Sequence, residues 1–139
     1  MIVLDTNVIS EIRKPAPSEA VTIWMMRQPD DELRLCDIVL MEQAYGAERY
    51  RLKNGSDRYS QRLNNLIVAY NGRVLPFDHT AAVLAGHLRA KREAAGRPVS
   101  VQDAMIAAIC LSHAAMLATR NTKDFEGLDL VLINPFEGG

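Results

Sequence analysis

Acidic side chains set where short apolar runs break off are the residues of this 139-residue sequence best placed to do chemistry. Asp5 closes the opening run Met1-Ile2-Val3-Leu4. Such a β-branched run reads as a buried strand, and in an open α/β sheet ligands bind where strands give way to helices. Glu42 falls one residue into a helix expected from Met41, Asp103 opens an Ala-rich helical run, and Asp124 follows Asn121 in the polar stretch Thr119-Arg120-Asn121-Thr122-Lys123-Asp124. Each has an ordinary explanation. Asp5 can cap a helix, Glu42 can offset a helix dipole from the first turn, Ser100 and Asp103 form a capping-box variant, and polar residues after a strand are common loop chemistry. Four such positions directed at one sheet edge are harder to explain singly. Oxygen ligands without His or Cys select a hard ion such as Mg²⁺ or Mn²⁺. Such an ion suits phosphoryl chemistry, because it lowers the pKa of a bound water and neutralises charge on the phosphate.

The elements that must position these acids follow from periodicity and punctuation. After the first strand, Ser18 can cap a helix through Val21, Ile23, Trp24 and Met25, ended by Pro29-Asp30-Asp31. Leu33 to Ile38 alternates as a second strand, and Met41 to Lys53 carries helix formers. Asn54-Gly55-Ser56 interrupts, and Arg58 to Tyr70 continues helically, so the two segments form a helical hairpin serving as a clamp or a dimer surface. Arg73 to Phe77 supplies a third strand, Thr80 to Ala95 a helix, Ser100 to about His113 another, Met116 to Thr119 a fourth strand and Leu128 to Ile133 a fifth. Strands separated by helices argue for a mostly parallel sheet covered on both faces. The whole chain, 1–139, reads as one domain.

Composition narrows the function classes. A net charge of -1 excludes a broadly basic DNA-coating surface, although Arg49, Arg51, Lys53, Arg58 and Arg62 form one basic stretch and Arg89, Lys91, Arg92 and Arg97 another. Such stretches are ordinarily solvated helix faces, and they gain interest only if they flank an acidic pocket acting on a polyanion. Cys36 and Cys110 read as buried thiols of a reducing cytosol, and His79, His87 and His113 as structural or surface residues. The sequence has no Walker motif, no G-x-G-x-x-G and no zinc spacing. No basic region precedes the opening apolar run and the tract from Ala104 to Ala118 is too short for a membrane span, so a cytoplasmic protein without membrane attachment is expected.

Taken together, Leu4-Asp5-Thr6-Asn7-Val8-Ile9-Ser10-Glu11, the Glu42 helix with Gly46 and Arg49, the run Asp103-Ala104-Met105-Ile106-Ala107-Ala108, and Ala118-Thr119-Arg120-Asn121 with Asp124-Phe125 resemble a PIN domain. More narrowly they resemble the VapC toxins of bacterial toxin–antitoxin pairs, including the FitB-like branch. The resemblance covers nearly the whole chain. It implies a PIN-like α/β/α sandwich with a five-stranded parallel sheet and a Mg²⁺- or Mn²⁺-dependent endoribonuclease. It also implies a homodimer and a small VapB-like antitoxin that blocks the site and carries the pair to operator DNA. Asp5, Glu42 and Asp103 match the family's acidic ligands, while Asn121 stands where many relatives have a fourth Asp. In this reading Asp5 and Asp103 are direct metal ligands and Glu42 holds a ligand water or a second ion. Asn121 orients the nucleophile, or Asp124 supplies the missing carboxylate as a further ligand.

Two other classes compete. A PIN-fold binding module of little catalytic power could act with its antitoxin as a DNA-bound autorepressor, and an activity assay separates it from the nuclease. A phospho-accepting receiver domain would also be parallel α/β, but it needs an acidic pair after the first strand, where Asp5 stands alone.

Overall fold

The structure is a computed structural model and describes residues 1–137. Five strands form one sheet in the order β3-β2-β1-β4-β5, with β1 Ile2–Leu4, β2 Leu33–Cys36, β3 Val74–Leu75, β4 Met116–Ala118 and β5 Leu132–Ile133. Every pairing is parallel; Ile2 lies opposite both Leu33 and Met116, and Leu117 opposite Leu132. Among the described residues there are six α-helices, α1 Thr6–Ile12, α2 Glu19–Arg27, α3 Asp37–Asn54, α4 Arg58–Ala69, α5 His79–Ala94 and α6 Val101–Ser112, and two short 3-10 turns. This is the α/β sandwich with a parallel sheet and a helical hairpin, α3–α4, expected from the sequence.

The central strands are apolar because both of their faces are covered. Val3, Leu4, Leu35 and Leu117 have no exposed surface. Helix α6 buries Ala104 and the continuous run Ile106–Cys110, and its alanines let it pack closely against α5. Each large aliphatic side chain so placed contributes roughly 1.5–3 kcal/mol relative to exposure. Gly55, at φ 71°, closes α3 in the left-handed conformation that a side chain resists, which turns the chain into α4.

Three element boundaries differ from the sequence reading, each for a tertiary reason. The second strand stops at Cys36 rather than Ile38, so α3 begins four residues before Met41 at Asp37. Cys36, opposite Leu75, makes the last ladder pair, and beyond it Ile38 and Val39 are buried from the first turn of the helix. The third strand shrinks to Val74–Leu75, because the Asp37 carboxylate accepts from the Phe77 amide and draws the chain off the ladder. The fifth begins at Leu132 rather than Leu128. Gly127 and Asp129 both adopt positive φ, so Leu128 enters the core from a turn.

The strand order reverses direction about β1: the chain moves outward to β2 and β3 on one side, then returns to β4 and β5 on the other. The crevice at the carboxyl ends of β1 and β4 is therefore the switch point where α/β sheets bind ligands.

Candidate active site

Asp5 sits at that crevice, immediately after β1, and is only 6% exposed. Its backbone amide still belongs to the sheet, donating to the Ala118 carbonyl at 3.0 Å. Its carboxylate is divided. Oδ1 accepts from the Thr6 amide at 2.8 Å and so caps α1. Oδ2 accepts from the Thr119 hydroxyl at 2.8 Å and from Asn7 Nδ2 at 3.3 Å.

Thr119 is fully buried and organises the β4 side of the crevice. While donating to Asp5, its hydroxyl oxygen accepts from Asn7 Nδ2 at 3.2 Å and from the Asn121 amide at 3.1 Å. Asn7 Oδ1 in turn accepts from the Arg120 amide at 3.0 Å. Thr119 and Asn7 thus hold the β1 and β4 ends in one register. The sequence reading assigned neither residue a role; the available signal was a Thr directly following an apolar strand and aligned with the Asp across the switch point.

Glu42 lies on α3, which starts at Asp37, so the acid is in the second helical turn and not the first. The dipole explanation weakens accordingly, since that effect fades beyond the first turn. Glu42 Oε1 is buried with no hydrogen-bond partner, and so is Thr6 Oγ1. A buried carboxylate oxygen left unpaired is suited to accept a further partner, such as an ion or water. Asp103 is half-buried in the first turn of α6, where its amide donates to Ser100 Oγ at 3.1 Å. No bond from the Ser100 amide to the Asp103 carboxylate closes a full capping box among the described residues.

The three acids share one electrostatic field. Burial pushes the Asp5 carboxyl up, only partly offset by its hydrogen bonds, and the Asp124 charge adds to the rise. Glu42 is raised by burial and then by the charge of Asp5, with a smaller rise from Asp103, against the lowering effect of the Thr6 hydroxyl. Asp103 is raised by burial and by Asp5 and Asp124, against the lowering effects of Ser100 and Arg92. The charge of Asp5 thus reaches Glu42 and Asp103, and that of Asp124 reaches Asp5 and Asp103, which puts the four acids near one another along the same sheet edge. Asp124, on an exposed 3-10 turn at Thr122–Phe125, therefore belongs to the group by its charge. Asn121 caps that turn by position only, and its exposed side chain makes no capping bond.

Among the described residues no group of three or more His, Cys, Asp or Glu side chains stands close enough together to hold a metal ion as it is. The donor set nevertheless fits a hard cation: it is all oxygen, one carboxylate oxygen is orphaned, and the acids repel one another in the absence of positive charge.

Arg92 is the residue the sequence most misrepresented. Expected on a solvated basic face, it is instead only 8% exposed. Its Nε donates to the Arg97 carbonyl at 2.6 Å and its Nη1 to the carbonyls of Asp124 and Glu126 at 3.3 and 2.9 Å. It ties the Asp124 turn to α5 and offsets the acid field at Asp103. The cysteines are buried as expected, and burial pushes the Cys36 thiol up to about 12. His79 and His87 are exposed and His113 is half-buried at the end of α6. No helix among the described residues is long and apolar enough to cross a membrane.

Comparison with known proteins accords with this geometry. The PIN domain family profile matches residues 2–129. VapC ribonuclease Y4jK of Sinorhizobium fredii is 38% identical over 138 residues, covering 99% of this chain and 99% of that protein. Toxin FitB of Neisseria gonorrhoeae is 34% identical over 139 residues, covering 98% of this chain and 99% of its own. Among solved structures, FitAB bound to an IR36 DNA fragment superposes with a TM-score of 0.87 at 31% identity, covering 98% of this chain and 96% of that one. With its fold, its acidic crevice and full-length relatives of this kind, the chain belongs to the PIN domain family and, within it, to the VapC toxins of the FitB-like branch.

Proposed function

We propose that this protein is a metal-dependent endoribonuclease toxin that hydrolyses RNA phosphodiester bonds and is neutralised by a small antitoxin. The observation that carries this reading is the convergence of Asp5, Glu42, Asp103 and Asp124 in one field at the sheet's switch point. Asp5 and Asp103 would hold a Mg²⁺ or Mn²⁺ ion, with Glu42 reaching it directly or through a water. When bound, such an ion supplies an acidified water and charge neutralisation at the scissile phosphate.

The chain's own residues prepare that site. Thr119 and Asn7 hold the Asp5 carboxylate by one hydrogen bond each and are joined to one another by a third. The orphaned Glu42 Oε1 is available to accept a proton from, or orient, a water at the crevice. Asp124 supports the fourth acidic position by its charge, which reaches both Asp5 and Asp103. Asn121 directly follows the strand end through Thr119 and Arg120 and presents an exposed amide to the same edge.

Asp5→Asn and Asp103→Asn should each reduce cleavage of a generic RNA by at least about a hundredfold while leaving the circular dichroism spectrum unchanged, as expected for loss of charge without loss of volume. Unchanged Mg²⁺ affinity of Asp5→Asn in calorimetric titration would remove Asp5 from the ligand set. Across a Mn²⁺ titration, Asp124→Asn should lose more activity than Asn121→Ala if Asp124 is the fourth acid. The reverse ranking assigns the position to Asn121.

A second activity is compatible with the first. Relatives were solved as toxin–antitoxin complexes on DNA, including DNA bound VapBC from Salmonella typhimurium, with a TM-score of 0.80. With a net charge of -1, this chain would reach operator DNA through a basic partner rather than by its own surface. An operator mobility shift by the pair, with none by this chain alone, would support that role.

A further inference from the structure

We infer that the groove leaving the acidic crevice between α1, α3 and α4 binds the phosphodiester backbone of single-stranded RNA, with Arg13 and Arg62 contacting phosphates flanking the one cleaved. This deepens the nuclease reading and rests on it for the identity of the polymer. Three adjoining hollows make up the groove. The first begins at Thr6 and Glu42 in the crevice, the second passes Tyr59, and the third ends at Arg62 and Leu66; Arg13 lines all three.

The cations along it are prepared for an anion that the protein does not provide. Neither Arg13, Arg58 nor Arg62 forms a salt bridge among the described residues, although Lys14 and Arg120 nearby both pair with Glu11. Arg13 Nη1 is held by Gln43 Oε1 at 3.2 Å, and Gln43 Nε2 is held by Ser10 Oγ at 3.3 Å, so the guanidinium is fixed in the groove wall. Its other terminal nitrogen is buried without a partner. Burial, and then the like charge of Arg62, disfavour the Arg13 cation, which places the two guanidinium groups across a common space. A fixed, partly buried guanidinium beside a second, exposed one, with no acid between them, leaves a concentration of positive charge that an anion would relieve. A phosphate diester is such an anion, and arginine's planar fork is suited to it.

The opposite wall is aromatic. Tyr50 and Tyr59 meet edge to face with centroids 4.7 Å apart. Arg58 lies 5.4 and 5.0 Å from the two rings, and Arg62 lies 5.2 Å from Tyr59. Rings and guanidinium planes interleaved along a cationic groove form the stacking surface that unpaired bases use, which favours a single strand over a duplex whose bases are already stacked. Gly46, on the first hollow's wall, would add a Cβ into open space, so the passage beside Glu42 is kept wide where packing makes no demand for it.

The test measures binding rather than catalysis. Fluorescence anisotropy of a fluorescein-labelled single-stranded oligoribonucleotide of about a dozen nucleotides, in EDTA to prevent cleavage, is followed against salt for the full chain. Arg62→Gln should weaken binding about tenfold and lower the log–log salt slope by about 0.7, the loss of one single-strand phosphate contact. Arg13→Gln should do the same, with its thermal midpoint recorded to exclude unfolding. Arg27→Gln is the matched control. Arg27 ends α2, lines none of the three hollows, and faces a separate cavity with Ile133 and Asn134. The inference is overturned if Arg27→Gln lowers the slope as much as Arg62→Gln, or if both groove variants keep the parent's slope. Weakened capture of a polyglutamate peptide alongside an unchanged RNA slope would assign the groove to an acidic protein segment instead. Because this binding needs no metal or chemistry, failure here leaves the nuclease reading intact, whereas persistent cleavage by Asp5→Asn would defeat that reading and leave the groove.

Discussion

Asp5 uses its two carboxylate oxygens differently, one capping α1 and the other held by Thr119 and Asn7, so the capping and functional explanations of this residue are both true of it. Glu42 is less well compensated: its Oε1 makes no hydrogen bond, and the nearby Thr6 hydroxyl only partly offsets burial and the charges of Asp5 and Asp103. Its pKa is raised above the ordinary 4.5, so the folded protein binds this proton more tightly than the unfolded chain. Stability then falls as pH rises from about that value through the raised folded one, and it is fully present only below both. Metal-free protein should therefore melt higher at pH 5 than at pH 7, and Glu42→Gln should shrink that difference without abolishing it, because Asp5 and Asp103 are raised as well. With saturating Mg²⁺ the order should change, because the parent gains more from the ion than the variant does. Thermal melts at the two pH values, with and without Mg²⁺, check this; a variant with the parent's pH dependence would place the titration elsewhere.

At the scale of elements, the site depends on how the 3-10 turn carrying Asp124 is attached. Arg92 makes that attachment from α5, donating to three backbone carbonyls with no acid closing an ion pair on it. Its removal leaves partly buried acceptors unsatisfied, each worth about 1–3 kcal/mol. Arg92→Gln should lower the urea-unfolding free energy by about 2 kcal/mol. It should also weaken Mn²⁺-supported cleavage through displacement of Asp124. Loss of stability with unchanged activity would show that the turn's position does not matter to the site.

At the scale of the whole molecule, an acidic crevice and an adjoining basic groove coexist in a chain of net charge -1. The proposed antitoxin must therefore offer positive charge to the crevice. An arginine side chain, whose fork matches paired carboxylates, is the expected plug. Mg²⁺ and the antitoxin should then compete, each raising the apparent dissociation constant of the other. Calorimetric titration of the purified pair with Mg²⁺ checks this. Equal Mg²⁺ affinity in the free toxin and the complex would mean that the partner blocks the substrate path without entering the crevice.

The strands, the helical hairpin with its Gly55 stop and the candidate acids Asp5, Glu42, Asp103 and Asp124 were legible in the sequence, because period, turn residues and a hard-ion donor set are local properties of the chain. Three kinds of feature were not. The true start of α3 at Asp37 depended on the depth at which β2 ends beside β1, and alternation over Leu33–Ile38 could not report that depth. Arg92 reads as surface charge because its partners are backbone carbonyls, which any sequence possesses. The link from Asp5 to Thr119 spans 114 residues, and the groove brings Arg13 of the α1 region against Arg62 of α4. Local propensity determined which residues could serve, while parallel pairing of β1 with β4 and packing of the hairpin on α1 decided which of them meet.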